Sequence, residues 1–213
     1  MPSTPDPGPD PGPDPGPDPG PPAAPRLAAV VLSGGTAVRL GGVAKASLEV
    51  DGLSLLDRSL RAAATADEVV VVGARVPTRH HVSWTVEDPP SGGPAAGLLA
   101  GLDRLDEEPD LVLVLAVDMP RVSGATVERL RSAISADPGC DGALLVDPDG
   151  RRQPLAALYR YQPLQAARPA DRGREHGLPM RRLVGRLELR EVPADADEAH
   201  DVDTWEDWRA LNQ

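Results

Sequence analysis

The chain has 213 residues, of which 33 are acidic and 22 basic, for a formal charge of −11 at neutral pH; such a surface repels polyanions and argues against general nucleic-acid binding. Its single cysteine, Cys140, excludes an internal disulfide and a cysteine-built zinc site, and fits a reducing compartment. No charged stretch precedes an apolar leader and no run of 18 apolar residues occurs, so neither export nor a membrane partner is expected, and the cytoplasm is the expected location.

Residues 1–25 stand apart from the rest. Asp6 to Pro21 is four copies of Asp-Pro-Gly-Pro; proline lacks the donor N–H and glycine resists ordering, so no helix, ladder or apolar face can form there. The stretch reads either as a disordered acidic tail or as the product of a start site placed too far upstream, and in neither case does it carry catalysis. The expected folded domain is 26–213.

Arg26 to Ser33 reads as a short buried strand bounded by Pro25 and by Gly34-Gly35. A glycine-rich loop follows, then Ala46 to Val50, a turn at Asp51-Gly52, and a helix from about Ser54 to Ala64 that buries Leu55, Leu56 and Leu60. Glu68 to Gly73, with four consecutive valines, predicts a strand covered on both faces, as in a parallel sheet. Val82 to Val86 reads as a third strand and Pro94 to Leu105 as a helix with proline in its first turn. Leu111 to Val117 is the clearest central strand, ending at Asp118-Met-Pro120, and Ser123 opens a helix to Ala136 as its N-cap. The alternation predicts a three-layer α/β/α sandwich with a mostly parallel, Rossmann-like sheet. Ala143 to Val146 and Pro154 to Tyr159, joined by the turn Asp147-Pro-Asp-Gly150, add an antiparallel segment at one side. Helical segments near Pro163 to Ala167 and Leu178 to Gly185, a strand from Leu187 to Val192, and a terminal helix beyond Asp201-Val-Asp203 complete the chain.

Four constellations carry candidate chemistry. In the loop from Leu32 to Lys45, Gly34, Gly35, Gly41 and Gly42 permit close backbone approach, so that successive N–H groups can face phosphate oxygens, with charge from Arg39 and Lys45. Lys45 is the sole lysine among the 22 basic residues, and a compact ammonium suits a single phosphate oxygen in a tight cradle better than a guanidinium fork. The spacing matches neither a Walker A loop nor a dinucleotide fingerprint, and an ordinary strand-to-helix loop is the alternative. Asp118, at the carboxyl end of a central strand, is placed to hold a metal ion rather than to cap the helix beginning near Ser123. Pro89-Pro-Ser-Gly-Gly-Pro-Ala-Ala-Gly97 can wrap a planar base or serve as a rigid turn. Asp201 and Asp203, two apart, can complete a magnesium site with Asp118, or Asp203 can simply cap the last helix. The four histidines show no ligand spacing and read as surface or structural residues.

In order along the chain, Leu32-Ser-Gly-Gly-Thr-Ala-Val-Arg-Leu-Gly-Gly-Val-Ala-Lys45, Ser91-Gly-Gly-Pro-Ala-Ala-Gly97, Val117-Asp-Met-Pro120, Arg152-Gln-Pro-Leu155, Met180-Arg-Arg-Leu183 and Asp201-Val-Asp-Thr204 resemble the molybdenum cofactor guanylyltransferases, within the wider nucleotidyltransferases. The resemblance implies a nucleotide-diphospho-sugar transferase-like fold and transfer of GMP from GTP to the phosphate of molybdopterin, with release of pyrophosphate. It implies Arg39, Lys45 and Asp118 as catalytic residues. Leu32, Ser33, Gly34, Gly35, Arg39, Lys45, Gly93, Pro94 and Gly97 would bind the nucleotide, and Asp118 with Asp203 would bind Mg²⁺. Gln153, Arg181, Arg182 and Asp201 are the implied acceptor contacts, and molybdoenzymes or their chaperones are the implied recipients of the product. The related cytidylyltransferases typically carry alanine where this chain has Gly34, so glycine favours GTP. One departure stands out: the family's usual aspartate before the loop lysine is Ala44 here. Competing readings are the same fold acting on another acceptor or nucleotide, such as cytidylyl transfer, and a catalytically weakened GTP-binding regulator.

Overall fold

The computed structural model describes residues 24–34, 44–195 and 197–211; Gly35, Arg39, Gly41, Gly42 and the repeat tail lie outside the described residues. The first strand, β1 (Leu27–Leu32), is buried along its whole length. Full burial follows from its place inside a covered sheet, where each Leu or Val contributes about 1.5–3 kcal/mol through burial. A 3₁₀ turn over Lys45–Ser47 leads into β2 (Glu49–Val50) and β3 (Leu53–Ser54), an antiparallel pair closed by Asp51 and Gly52 at φ 52° and 75°. Positive φ at both central residues is the type I′ turn that matches strand twist, which is why Asp-Gly occurs there. The Ser54 hydroxyl accepts from the Asp57 N–H and starts α1 (Leu55–Ala62), which buries Leu55, Leu56 and Leu60.

Next come β4 (Glu68–Val72), β5 (Ser83–Thr85), α2 (Gly93–Asp103), β6 (Leu111–Ala116) and α3 (Gly124–Ala136). Ser123 occupies the N-cap of α3, its N–H donating to Thr126 Oγ1 at 2.9 Å. The rest is β7 (Gly142–Val146), β8 (Arg152–Arg160), α4 (Tyr161–Ala166), a 3₁₀ turn at Arg172–Arg174, α5 (Met180–Leu183), β9 (Leu189–Pro193) and α6 (Trp205–Leu211).

Among the described residues seven strands form one sheet, ordered β5-β4-β1-β6-β8-β7-β9. All run parallel except β8, which pairs antiparallel with both β6 and β7. The expected hairpin is therefore present, but its second strand inserts toward the sheet centre and β9 closes the far edge. One sheet face packs Val30, Val72, Val112, Val114 and Tyr159 against Leu98, Leu99, Leu164 and Leu183. The other packs Leu113, Leu115, Leu145 and Leu158 against Leu130 and Ile134, and Val31 and Val71 against Leu56 and Leu60. Strand alternation thus feeds two separate cores, with α2, α4 and α5 on one side and α1 and α3 on the other, as the three-layer expectation requires.

The chain leaves β1 toward β4 and later returns to β6 on the opposite side of β1. The crevice at the carboxyl ends of β1 and β6 is the topological switch point, where doubly wound sheets bind ligands.

Candidate active site

Two chain segments converge on that crevice. Val117 N–H donates to the Leu32 carbonyl at 3.1 Å, holding the end of β6 beside the start of the glycine loop. Ser33 turns toward β4 instead, with its N–H and hydroxyl both donating to the Val72 carbonyl, at 2.9 and 3.1 Å. The approach is close enough that a Cβ on Gly73 would lie 2.5 Å from Ser33 Oγ. Gly34 is different, since among the described residues a Cβ there would meet only the Val72 carbonyl at 3.8 Å.

Beyond the loop, the Lys45 ammonium donates to Asp203 Oδ1 at 2.6 Å and to Asp118 Oδ2 at 3.3 Å. The only lysine of the chain therefore joins the two aspartates expected to hold a metal, which lie 73 and 158 residues from it in sequence. Burial pulls the ammonium toward its neutral form, but the Asp203 hydrogen bond and the fields of Asp118 and Asp203 outweigh it and raise its pKa. Lys45 is held charged. Burial raises the Asp118 carboxyl, Lys45 offsets part of that rise, and the like charges of Asp201 and Asp203 add to it.

The capping alternatives are not what the structure shows. Asp118 pairs with Lys45, while Ser123 and Thr126 begin α3. At α6 it is Thr204 that caps: its Oγ1 accepts from the Asp207 N–H at 3.2 Å, and Asp207 in turn accepts from the Asp203 and Thr204 amides at 3.0 and 2.7 Å. The Asp203 carboxylate is left to face Lys45. α6 is seated by Trp208, whose indole N–H donates to the Glu49 carbonyl at 2.9 Å, and by Trp205, Trp208 and Leu211 packing on the cluster of Ala46, Leu48 and Val50. The helix thus anchors on β2, only a few residues past Lys45.

A hard divalent cation suits this donor set. Asp118 and Asp203 share Lys45 as their cation, and Asp118 also feels the charge of Asp201, which leaves excess negative charge from hard oxygen donors. Among the described residues no group of three or more histidine, cysteine or acidic side chains is arranged to hold a metal by itself. Mg²⁺ characteristically takes one or two carboxylates and completes its shell with water and phosphate oxygens.

Other expected residues lie on α2, β8 and α5. Gly93 and Pro94 open α2 and are exposed, whereas Gly97 is buried, its α-carbon facing the Leu32 and Val72 side chains. Leu32 likewise points into that core. Gln153 lies at the start of β8 beside the carboxyl end of β7, and its amide donates to Asp147 Oδ2 at 3.3 Å. Arg181 and Arg182 are exposed on α5, which packs on α2. Two charged residues had no signal in the sequence pattern. Arg168 forks onto Asp103 Oδ1 and Oδ2 at 2.6 and 2.7 Å and reaches Glu175 Oε1 at 2.7 Å. Glu198 is buried against α3.

The MobA-like NTP transferase domain matches residues 29–191. The Synechococcus elongatus protein named as a probable molybdenum cofactor guanylyltransferase is 29% identical over 194 residues, covering 86% of this chain and 97% of that protein. A molybdenum cofactor guanylyltransferase of Shewanella sp. MR-4 is 32% identical over 141 residues, 63% of this chain and 69% of that one. In the crystal structure of molybdopterin-guanine dinucleotide biosynthesis protein A from Archaeoglobus fulgidus the fold recurs with a TM-score of 0.66 at 20% identity, covering 87% of this chain and 96% of that one. With strands, switch point and loop lysine arranged as described, the chain is a nucleotidyltransferase that belongs to the MobA-like NTP transferase family.

Proposed function

We propose that the protein transfers GMP from GTP to the terminal phosphate of molybdopterin in molybdenum cofactor biosynthesis. In this reaction a phosphate oxygen of the pterin attacks the α-phosphorus of GTP, the bond from that phosphorus to the bridging oxygen of the β-phosphate breaks, and pyrophosphate leaves. The observation that carries the reading is Lys45 joined to Asp118 and Asp203 at the switch point, in a chain whose curated relatives carry the guanylyltransferase name.

The attacking monoester is already ionised near neutral pH, so no serine, cysteine or histidine nucleophile is required. The barrier is repulsion between two polyanions, and the residues answer it by positioning and charge neutralisation. Lys45 and Arg39, with the loop amides, draw the triphosphate into the crevice. Gly34 leaves room for the purine, and the Gly93-Pro94 end of α2 lies toward the base. Asp118 and Asp203 would hold Mg²⁺, which when bound neutralises charge on the phosphate oxygens. Gln153, Arg181, Arg182 and Asp201 offer donors and charge along the edge where the pterin would lie. Ala44 does not leave Lys45 without a carboxylate, because Asp203 and Asp118 both reach it. That favours turnover over a binding-only regulator.

Incubation with Mg²⁺, molybdopterin and each nucleoside triphosphate in turn, following pyrophosphate, tests the proposal. Release with GTP is expected. Release only with CTP would move the assignment to cytidylyl transfer, and GTP binding without release from any pair would leave the regulator.

A further inference from the structure

Among the described residues three polar or charged side chains are buried, Ser59, Thr126 and Glu198, and Glu198 is the one that ionises. Burying a carboxylate is unfavourable unless donors surround it, and replacing a buried ion pair by apolar residues often leaves stability unchanged. A buried glutamate is thus a poor device for stability alone. What it provides is direction, because its donors come from defined places.

Glu198 Oε1 accepts from the Thr126 hydroxyl, and Oε2 accepts from Arg129 Nη2 and from the Asp195 N–H, the last at 3.0 Å. Arg129 Nη1 also meets Asp195 Oδ2 at 2.9 Å. The same Thr126 hydroxyl accepts the Ser123 N–H, so the carboxylate is fastened to the first turn of α3, the helix that the Asp118 loop runs into. Three residues later the chain places Asp201, then Val202, then Asp203. Val202 is fully buried and its N–H donates to the Asp118 carbonyl at 2.8 Å. Upstream, Ala194 N–H donates to the Val146 carbonyl at 2.8 Å, beyond the end of β9. Between these two backbone anchors Glu198 is, among the described residues, the one buried side chain of an otherwise exposed or half-buried connection.

We infer that Glu198 is a positioning residue: by clamping the connection after β9 onto Thr126 and Arg129 of α3, it sets Asp201 and Asp203 on either side of Val202 so that the Asp203 carboxylate meets Lys45 and the charge of Asp201 is felt at Asp118. It touches neither nucleotide nor pterin. The inference rests on the proposed reading for its catalytic consequence, and on the structure alone for its mechanical one.

The experiment therefore has two arms. In the first, hydrogen–deuterium exchange is followed in Glu198→Ala and Glu198→Gln without nucleotide. Glu198→Ala is expected to speed exchange in residues 194–204 by about tenfold, while β6, which exchanges by global unfolding, is accelerated far less. In the second, pyrophosphate release is measured against Mg²⁺ and against GTP. The Mg²⁺ concentration for half-maximal rate should rise about tenfold in Glu198→Ala, as for groups that orient metal ligands, with the KM for GTP held within about twofold. Glu198→Gln, which keeps an acceptor for Thr126, should recover part of both effects and serves as the second variant should the alanine form fail to fold. Unchanged exchange in 194–204 together with an unchanged Mg²⁺ midpoint overturns the inference, as does equal acceleration in β6, which would mean general destabilisation. If the unaltered protein releases no pyrophosphate with any triphosphate, the guanylyltransferase reading fails, and the exchange arm still decides the role of Glu198.

Discussion

At Asp118 the needs of stability and of chemistry pull apart. Burial raises its pKa and the neighbouring aspartates add to that rise; a carboxyl whose pKa is higher in the folded than in the unfolded state destabilises the fold once it is ionised. Asp118→Asn should therefore hold or raise the melting temperature at pH 7 while lowering Mg²⁺-dependent turnover by about 10²–10³-fold, the scale for losing one charge-stabilising group. Thermal scans and pyrophosphate assays on one preparation check both halves, and undiminished turnover would remove Asp118 from the metal assignment. Gly34 offers the complementary case, in which a substitution should alter selectivity without stability. Among the described residues a Cβ there meets nothing nearer than the Val72 carbonyl at 3.8 Å, an ordinary contact. Gly34→Ala should accordingly melt within about 0.5 kcal/mol of the unaltered protein, while the ratio of kcat/KM for GTP over CTP falls. A fall in stability with the ratio intact would show that the glycine serves the backbone rather than the purine.

On the scale of elements, α2 is tied at both ends by one segment. Arg168 forks onto Asp103 in the last turn of the helix, and Gly177 N–H donates to the Gly92 carbonyl at its start, at 2.8 Å. The Arg168 side chain is 11% exposed and also pairs with Glu175, so its removal takes that partner from the half-buried Glu175 and leaves Asp103 with Arg172 alone. Arg168→Met should cost about 1–3 kcal/mol by denaturant unfolding, and Arg168→Lys should recover only part of that, since an ammonium cannot make the bidentate fork. Complete recovery by lysine would mean that charge alone matters there. Nothing in the sequence announces this strap, because charged residues in an irregular segment carry no periodicity. By contrast Leu27–Leu32, Glu68–Val72 and Leu111–Ala116 are legible as strands: a sheet covered on both faces demands continuous apolar runs, and each run ends at a turn signal or a charged residue. The insertion of β8 between β6 and β7 is not legible, since a hairpin pattern fixes which strands pair with each other and leaves open which of them joins the sheet. The site divides in the same way. Asp118 is marked by its position after an apolar strand, whereas the meeting of Lys45 with Asp203 depends on where Trp205 and Trp208 seat α6.

For the whole molecule, the acidic excess and the ion pairs together set how stability responds to pH. Asp103 is held below its ordinary value of 3.8 chiefly by the Arg168 hydrogen bond. At Glu198 burial pushes the carboxyl upward, but Arg129, Thr126 and the Asp195 N–H prevail and hold it below its ordinary 4.5. A carboxyl with a depressed folded-state pKa binds protons more readily in the unfolded chain, so its stabilising contribution is complete above the unfolded value and disappears as pH falls through the folded one. Asp118 has the opposite sign: its protonation on acidification favours the fold and partly offsets the other two. Between neutral pH and the onset of carboxylate protonation, acidification also reduces the net charge of −11 and its self-repulsion. Melting temperature should therefore vary little while the carboxylates stay ionised and fall as pH drops below the ordinary values of 3.8 and 4.5 that Asp103 and Glu198 are held beneath. Glu198→Gln, which cannot titrate, should melt lower at pH 7 and lose less between pH 5 and pH 3, so that the two curves converge in acid. Parallel curves would show that Glu198 contributes nothing to the acid transition and would assign that fall to Asp103 and the remaining carboxylates.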